Sequence, residues 1–315
     1  MKNEIISQPV LILVGPTAVG KTALSLEIAD RYDCEIVSVD SVQVYRYMDI
    51  GTAKATLEER GGIPHHLIDI VYPDENYDAA RFSEDALKSI RDIHSRGKLP
   101  LLTGGTGLYL RALLQGIFSG THADEEVRLS LQHRLAAEGC SKLHDELLLI
   151  DRISGEKIHM NDTHRLLRAL EIFYVSGKPW SELIKDQHDQ PAPIVFNNFL
   201  QIGLTCEREK LYNRINRRCQ NMVDSGLELE VRKLLTMGYK RTLKSLGSIG
   251  YRHMIGYLEG ELSLEEMTRI LARDTRRYAK RQYTWFSKMI NLQWFQVNER
   301  VNIIQCVDKW LINKQ

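Results

Sequence analysis

Gly15-Pro-Thr-Ala-Val-Gly-Lys-Thr22 carries the spacing G-x-x-x-x-G-K-[ST], with an apolar run before it and a helical pattern after it. The chemistry such a segment serves is anion binding. Its glycines let the backbone curl so that successive N–H groups converge on phosphate oxygens. The helix that follows adds free amides and the positive end of its dipole. Lys21 supplies a mobile full charge, and the Thr22 hydroxyl can ligate a Mg²⁺ carried by the phosphates. Gly15, Pro16, Thr17, Ala18, Val19, Gly20, Lys21 and Thr22 are therefore read as phosphate-binding. A nucleoside triphosphate and a simple diphosphate ester both fit.

Asp40 directly follows the apolar stretch Ile36–Val39. In an open parallel sheet ligands gather beyond the carboxyl ends of the strands, so Asp40 is expected near the phosphate loop as a general base or metal-holding group. The plainer reading is a turn or cap residue. Gly104-Gly-Thr-Gly-Leu-Tyr109 is a second glycine-rich strand exit; Thr106 faces the same cleft, or the segment simply starts a helix. Arg214, Arg217 and Arg218 recur at helical spacing, and Arg273, Arg276, Arg277, Lys280 and Arg281 keep to one helical side. Tyr278, Tyr283, Trp285 and Phe286 lie among or just after that second set. Such a surface suits polyanion backbones and base stacking; the bland alternative is a solvated face, with Trp285 and Phe286 in the core. Arg165 and Arg168 share one side of another helical pattern, opposite Leu166, Leu167 and Leu170.

The elements that must position these groups are legible as periodicities. Val10–Val14, Ile36–Val39, a short His66–Ile70, Leu99–Thr103, Asn198–Leu204 and Leu292–Val297 read as strands. Lys21–Tyr32, Phe82–Arg96, Arg208–Asp224, Glu228–Met237 and Leu262–Lys288 read as helices. After Gly120 only helices are expected, at Asp124–Glu138, Ser141–Ile150 and Thr163–Ser176, with Asp186–Pro193 as a connector. Alternating strand and helix predicts an α/β fold with a parallel sheet. Residues 1–120 plus 197–315 would form this core, carrying the basic C-terminal helices, and 121–196 a helical insertion domain.

Composition narrows the classes further. Of 315 residues 43% are hydrophobic and 26% charged, which excludes a disordered chain, a collagen and a coiled-coil rod. A count of 42 Lys plus Arg against 41 Asp plus Glu gives a net +1, an average that argues against a strongly basic nucleic-acid binder. The average conceals an asymmetry. Thr205–Ile290 holds 18 basic and 10 acidic residues, a net +8, which leaves −7 elsewhere. Five dispersed cysteines without a CxxC pair read as reduced thiols. Met1–Pro9 lacks the apolar core of a signal peptide, and Val10–Val14 is too short to cross a bilayer. A soluble cytoplasmic protein is expected, with no membrane contact.

Taken in order, Gly15–Thr22, Asp40-Ser-Val-Gln-Val-Tyr45, Met48-Asp-Ile-Gly-Thr-Ala-Lys54, Pro64-His-His-Leu-Ile-Asp69, Gly104–Tyr109, Arg165–Glu171, Arg214-Ile-Asn-Arg-Arg218, Ile249-Gly-Tyr-Arg252 and Arg276-Arg-Tyr-Ala-Lys-Arg-Gln282 resemble the tRNA dimethylallyltransferase family, the bacterial isopentenyl transferases. The resemblance implies a P-loop NTPase-like α/β core with a helical insertion domain and a channel through the core. It implies transfer of a dimethylallyl group from dimethylallyl diphosphate to N6 of the adenosine 3′ to the anticodon, in tRNAs reading codons that begin with U, with release of pyrophosphate. The loop would then grip a diphosphate leaving group rather than ATP.

On that reading Asp40 is the general base, and Lys21, Thr22 through Mg²⁺, and Arg218 stabilise the departing pyrophosphate. The resemblance places Asp40, Ser41, Val42, Gln43, Thr106, Arg128, His164, Arg165, Leu166, Leu167, Arg168, Gly247, Ser248, Ile249, Gly250, Tyr251 and Arg252 against tRNA, and the charge pattern adds Arg276 and Arg277. A monomer is expected. Two residues depart from the family pattern: Gly247 stands where a polar or basic residue is usual, and Ser287 follows Trp285-Phe286 where Arg is common. The competing expectations are a P-loop kinase phosphorylating a small metabolite with ATP, which leaves the basic helices unexplained, and a nucleotide-switch module.

Overall fold

The computed structural model describes residues 4–116, 124–189 and 194–312. In chain order the elements are β1 (Glu4–Ile6), β2 (Val10–Val14), α1 (Lys21–Arg31), β3 (Cys34–Val39), β4 (His65–His66), α2 (Ala79–Ser95), β5 (Leu99–Gly104), α3 (Gly107–Gln115), α4 (Glu125–Ile150), α5 (Arg152–Lys157), α6 (Thr163–Ser176), α7 (Trp180–Asp189), β6 (Ile194–Phe196), β7 (Phe199–Thr205), α8 (Arg208–Asp224), α9 (Leu227–Thr236), α10 (Tyr251–Leu258), α11 (Leu264–Phe286), β8 (Gln293–Gln296) and α12 (Arg300–Ile312). They group into two units, Ile5–Leu114 with the chain from Phe196 onward, and Gln115–Val195.

The larger unit is built on a six-stranded sheet of order β4-β3-β5-β2-β7-β8, parallel at every pairing. Every residue of β2 is buried, as an uninterrupted apolar strand covered on both faces must be. From β2 the chain crosses over β5 to reach β3 and later returns to β7 on β2's other side. The order therefore reverses beside β2, and the crevice at its carboxyl end is where such sheets take ligands. Both glycine-rich exits, after β2 and after β5, open there. Helix α2 shows why these segments fold locally. The Asp78 carboxylate accepts the amides of Ala80 and Arg81 and so caps the helix, while Phe82, Ala86, Ile90 and Ile93 turn one apolar stripe to the core.

The helical unit has its own core of Leu131, Leu143, Leu147, Ile158, Leu166, Ala169 and Leu170. Asp151 ties α5 to α7 by accepting the Ser154 amide and both the amide and hydroxyl of Ser181.

Several expectations need correction. The strand read over His66–Ile70 stops at His66, because Leu67 and Asp69 take positive φ of 62° and 57°, a region closed to extended chain. The two helices expected before Ile150 abut in α4, broken at Gly139 with φ 82° and ψ 166°. Asp186 to Asp189 continue α7 rather than forming a connector; the rest of that stretch, 190–193, and the boundary expected at residue 120 lie outside the described residues. Helices α5, α7, α10 and α12 and the short strands β1 and β6 were not expected. Among the described residues no helix is long and apolar enough to cross a membrane.

The crevice depends on β5 lying flush against β3. A Cβ on Gly104 would sit 2.1 Å from the Val39 carbonyl oxygen, and backbone cannot rotate aside as a side chain can. Gly104→Ala is expected to destabilise the protein by about 1–3 kcal/mol, read as a lower urea midpoint at unchanged slope. A midpoint equal to wild type would contradict this account of the contact.

Candidate active site

The phosphate loop runs from the buried end of β2 into α1. Gly20 takes φ 115° immediately before the helix, which a Cβ-bearing residue would resist. The Lys21 ammonium folds back on the loop and donates to the carbonyls of Gly15 and Pro16 at 2.8 and 2.9 Å. Arg214 of α8 closes the loop's other side by donating to Val19 O at 2.9 Å. The Thr17 amide is taken by Gln282 Oε1 at 2.9 Å. The amides of Ala18, Gly20, Lys21 and Thr22 donate to no group among the described residues. They form an open nest of donors at a helix start, suited to phosphate oxygens.

Asp40 follows the end of β3 and takes the plainer of its two expected roles, capping a turn. Its Oδ1 accepts the amides of Val42 and Gln43 at 2.8 and 3.1 Å, a turn-capping geometry. Its Oδ2 makes no hydrogen bond to a described residue, so a fixed carboxylate keeps one oxygen for chemistry. Thr106 Oγ1 accepts the Ser41 amide at 3.1 Å and joins the second glycine-rich exit to this turn. Tyr278 of α11 lies against Thr106 and Gln282, and burial together with the nearby Asp40 charge pushes its phenol up to about 12.

Arg218 faces Lys21 from α8. Burial, then repulsion from Arg218, brings Lys21 down to about 7, with Asp40 opposing the fall. Arg218 is itself lowered by burial, again with Asp40 opposing. The three charged groups thus act on one another within one recessed cluster. The Arg218 guanidinium donates to Thr52 O at 3.3 Å, and Gln43 Nε2 donates to the same carbonyl at 3.3 Å.

The loop that carries Thr52 is held by groups that sequence reasoning passed over. Glu230 of α9 accepts the successive amides of Asp49, Ile50 and Gly51 at 2.9, 2.8 and 3.0 Å and the Tyr251 hydroxyl at 2.6 Å. Buried Lys54 binds Tyr45 O, Asp49 and Asp69 at 2.8, 2.7 and 2.6 Å. Gln282 also belongs to this frame: 4% exposed, it donates through Nε2 to Gly105 O at 2.9 Å while holding the Thr17 amide. Its presence inside a basic, helical stretch was the available signal, since an uncharged amide there has no use on a solvated face.

The residues expected against RNA divide. Ser41, Val42, Gln43 and Thr106 line the Asp40 turn. Gly247, Arg252 and Arg277 are exposed and Ser248, Ile249 and Arg276 half-buried, with Arg276 bonded to Asn216 and over the Tyr212 ring. Tyr251 is a correction: at 0% exposure its ring packs on Gly51 and its hydroxyl serves Glu230, so it is a scaffold residue. Gly250 is buried beside the same Gly51. In the helical unit His164 and Arg165 are exposed, whereas Leu166, at 0% exposure, belongs to the apolar core and its side chain cannot meet RNA; Leu167 packs against that core. Arg128 and Arg168 share one buried carboxylate, Glu171, at 3.2 and 3.0 Å.

Comparison with known proteins identifies the family. The sequence signature described as IPP transferase matches residues 43–289. The tRNA dimethylallyltransferase of Desulfotalea psychrophila is 55% identical over 308 residues, covering 98% of this chain and 97% of that one. The crystal structure of the full-length tRNA isopentenylpyrophosphate transferase from Bacillus halodurans superposes with a TM-score of 0.70 at 42% identity, covering 99% of this chain and 98% of the other. A eukaryotic dimethylallyltransferase acting on tRNA gives a TM-score of 0.81 at 28% identity, over 98% of this chain and 81% of its own. With its phosphate loop, its Asp40 turn and a signature spanning most of its length, this chain belongs to the IPP transferase family.

Proposed function

We propose that this chain transfers a dimethylallyl group from dimethylallyl diphosphate to N6 of the adenosine 3′-adjacent to the anticodon, in tRNAs reading codons that begin with U, and releases pyrophosphate. The observation that carries this reading is the cluster of Asp40, Lys21 and Arg218 beside an open nest of amides: one carboxylate oxygen with no bond to a described residue, on a group whose charge acts on two cations. A kinase would need that loop for ATP, and it gives the basic helices no task. We read the core as P-loop NTPase-like, with the loop turned to a diphosphate leaving group. We further read the chain as a monomer acting in the cytoplasm, where a tRNA substrate would meet it.

The chemistry follows from charge. As N6 bonds to C1 of the dimethylallyl group, the C1–O bond breaks and its electron pair leaves with pyrophosphate. Lys21, Arg218 and the amides of Ala18, Gly20, Lys21 and Thr22 face that developing charge. The N6 lone pair is conjugated with the ring, so the proton must leave as the bond forms. Asp40 Oδ2 takes it, while Oδ1 stays pinned by Val42 and Gln43 and fixes the direction of approach. Extruding the adenine costs a few kcal/mol, offset by backbone contacts from the basic face.

A Mg²⁺ fits the residues present. The exposed Thr22 hydroxyl has no partner among the described residues, and no group of three or more His, Cys, Asp or Glu able to hold a metal occurs among them. The ion would therefore be bound mainly by the diphosphate, with Thr22 as its protein ligand. When bound it supplies neutralising charge to the phosphate oxygens.

Incorporation of labelled dimethylallyl diphosphate into unmodified tRNA tests the function, and ATP turnover without RNA labelling would overturn it. Asp40→Ala is expected to abolish turnover and leave tRNA affinity within a few fold; a large loss of affinity would make Asp40 a binding residue. Free Lys21 is half-protonated near pH 7, and a bound diphosphate favours its charged form. Binding should therefore take up a proton, and affinity should fall as pH rises from about 6.5 to 8.5. Calorimetry in buffers of different ionisation heat measures this, with always-charged Lys21→Arg controlling for ionisation of the diphosphate; identical profiles would refute it. Joint Arg276→Ala and Arg277→Ala should weaken tRNA binding and lower its salt slope by up to about 0.7–0.9 per lost phosphate contact. An unchanged slope would return that stretch to a solvated face.

A further inference from the structure

We propose that Asp274 is a positioning residue for tRNA: one carboxylate beneath the basic face gathers Arg252, Arg273 and Arg277 from two helices into a single phosphate-binding array. This rests on the tRNA reading above and goes beyond it in assigning an acidic residue to the binding of a polyanion.

The division of labour is visible in the contacts. Asp274 Oδ2 serves α10, meeting Arg252 Nη2 at 3.0 Å and His253 Nε2 at 3.2 Å. Its Oδ1 serves α11, meeting Arg273 Nε at 3.0 Å and Arg277 Nη1 at 3.6 Å. The carboxylate is only 17% exposed, whereas the three arginine side chains remain 43–64% exposed. Arg252 and Arg273 each direct one N–H group at Asp274, Arg277 stands at ion-pair distance, and all three retain further N–H groups, since a guanidinium carries five. Burial would raise the Asp274 carboxyl, but hydrogen bonds from Arg273, His253 and Arg252 prevail and bring it down to about 2. The anion thus persists across the neutral range.

Three guanidinia so close together repel, and free arginines lose rotamer freedom when they engage a phosphate. Asp274 offsets the repulsion and does the ordering before RNA arrives. Stability is a weak alternative purpose, because half-exposed ion pairs contribute little apiece.

The proposal makes a prediction of unusual sign. Removing a negative charge from a basic face should by electrostatics alone tighten tRNA binding. If Asp274 positions the arginines, Asp274→Asn weakens it instead, by about tenfold, lowers the salt slope, and raises KM for tRNA but not for dimethylallyl diphosphate. Asp274→Glu, which keeps the charge, should recover part of the loss. In a double-mutant cycle, Arg252→Ala should cost less affinity in the Asp274→Asn background than in wild type. Tighter or unchanged binding by Asp274→Asn, or additive effects in the cycle, would overturn the proposal. Should the Asp274→Asn variant fold poorly, the Arg252→Ala variant decides: wild-type salt slope and wild-type KM for tRNA would also overturn it. Wild-type protein that takes up dimethylallyl diphosphate yet binds no tRNA would sink the parent reading, before any substitution is compared.

Discussion

Two cations held close together in a recessed cleft repel each other and lose hydration, and the rest of the structure is organised around keeping Lys21 and Arg218 there. Neither is neutralised by a paired carboxylate among the described residues. Both lean on backbone carbonyls, Lys21 on Gly15 and Pro16 and Arg218 on Thr52, while Asp40 lends its field without closing an ion pair. Such an arrangement is poorly satisfied by the protein alone and well satisfied by an added anion, as the proposed leaving-group role requires. The carbonyls must then be rigid. Arg214 steadies the loop at Val19, and Glu230 and Lys54 steady the segment before and after Thr52.

Much of the fold was legible because period and position agreed. Val10–Val14 could only be a strand covered on both faces, and the phosphate loop needed a strand before it and a helix after it. The Asp40 turn followed from sheet geometry. What stayed hidden were residues whose role lies in long-range bonding. Glu230 reads as one acid in a charged helix, and nothing local tells that it accepts three amides from a loop about 180 positions away. Tyr251 sits in a stretch that resembles an RNA-contacting motif, yet serves that loop from beneath. Leu166 shows the limit of transferring a motif whole, since alternate residues of one helix face opposite ways. The α12 helix was missed because Arg300–Ile312 mixes single and paired apolar residues, and only Ile303 and Val307 are buried.

Each unit places a nearly buried carboxylate under arginines, Asp274 in the larger and Glu171 in the helical one. Composition counts such acids against the basic total. Their placement makes them part of the positive surface, because the anion lets guanidinia stand closer than repulsion would allow. The net +1 of the chain therefore understates how strongly its two basic faces can act on a phosphate backbone.

Gln282 carries a consequence for sequence drift. It works as a spacer of fixed length, accepting from Thr17 at one atom and donating to Gly105 at another. Changing one base of a glutamine codon yields Glu, Lys, Arg, His, Leu or Pro. None of these presents a donor and an acceptor at the end of a chain of that length. Glu would turn its second oxygen against the Gly105 carbonyl, Lys and Arg have nothing to accept the Thr17 amide, and the others fall short or lack the groups. The residue is thus isolated in codon space: every single step away loses at least one of the two bonds, so the register between the two strand exits is shielded from gradual change.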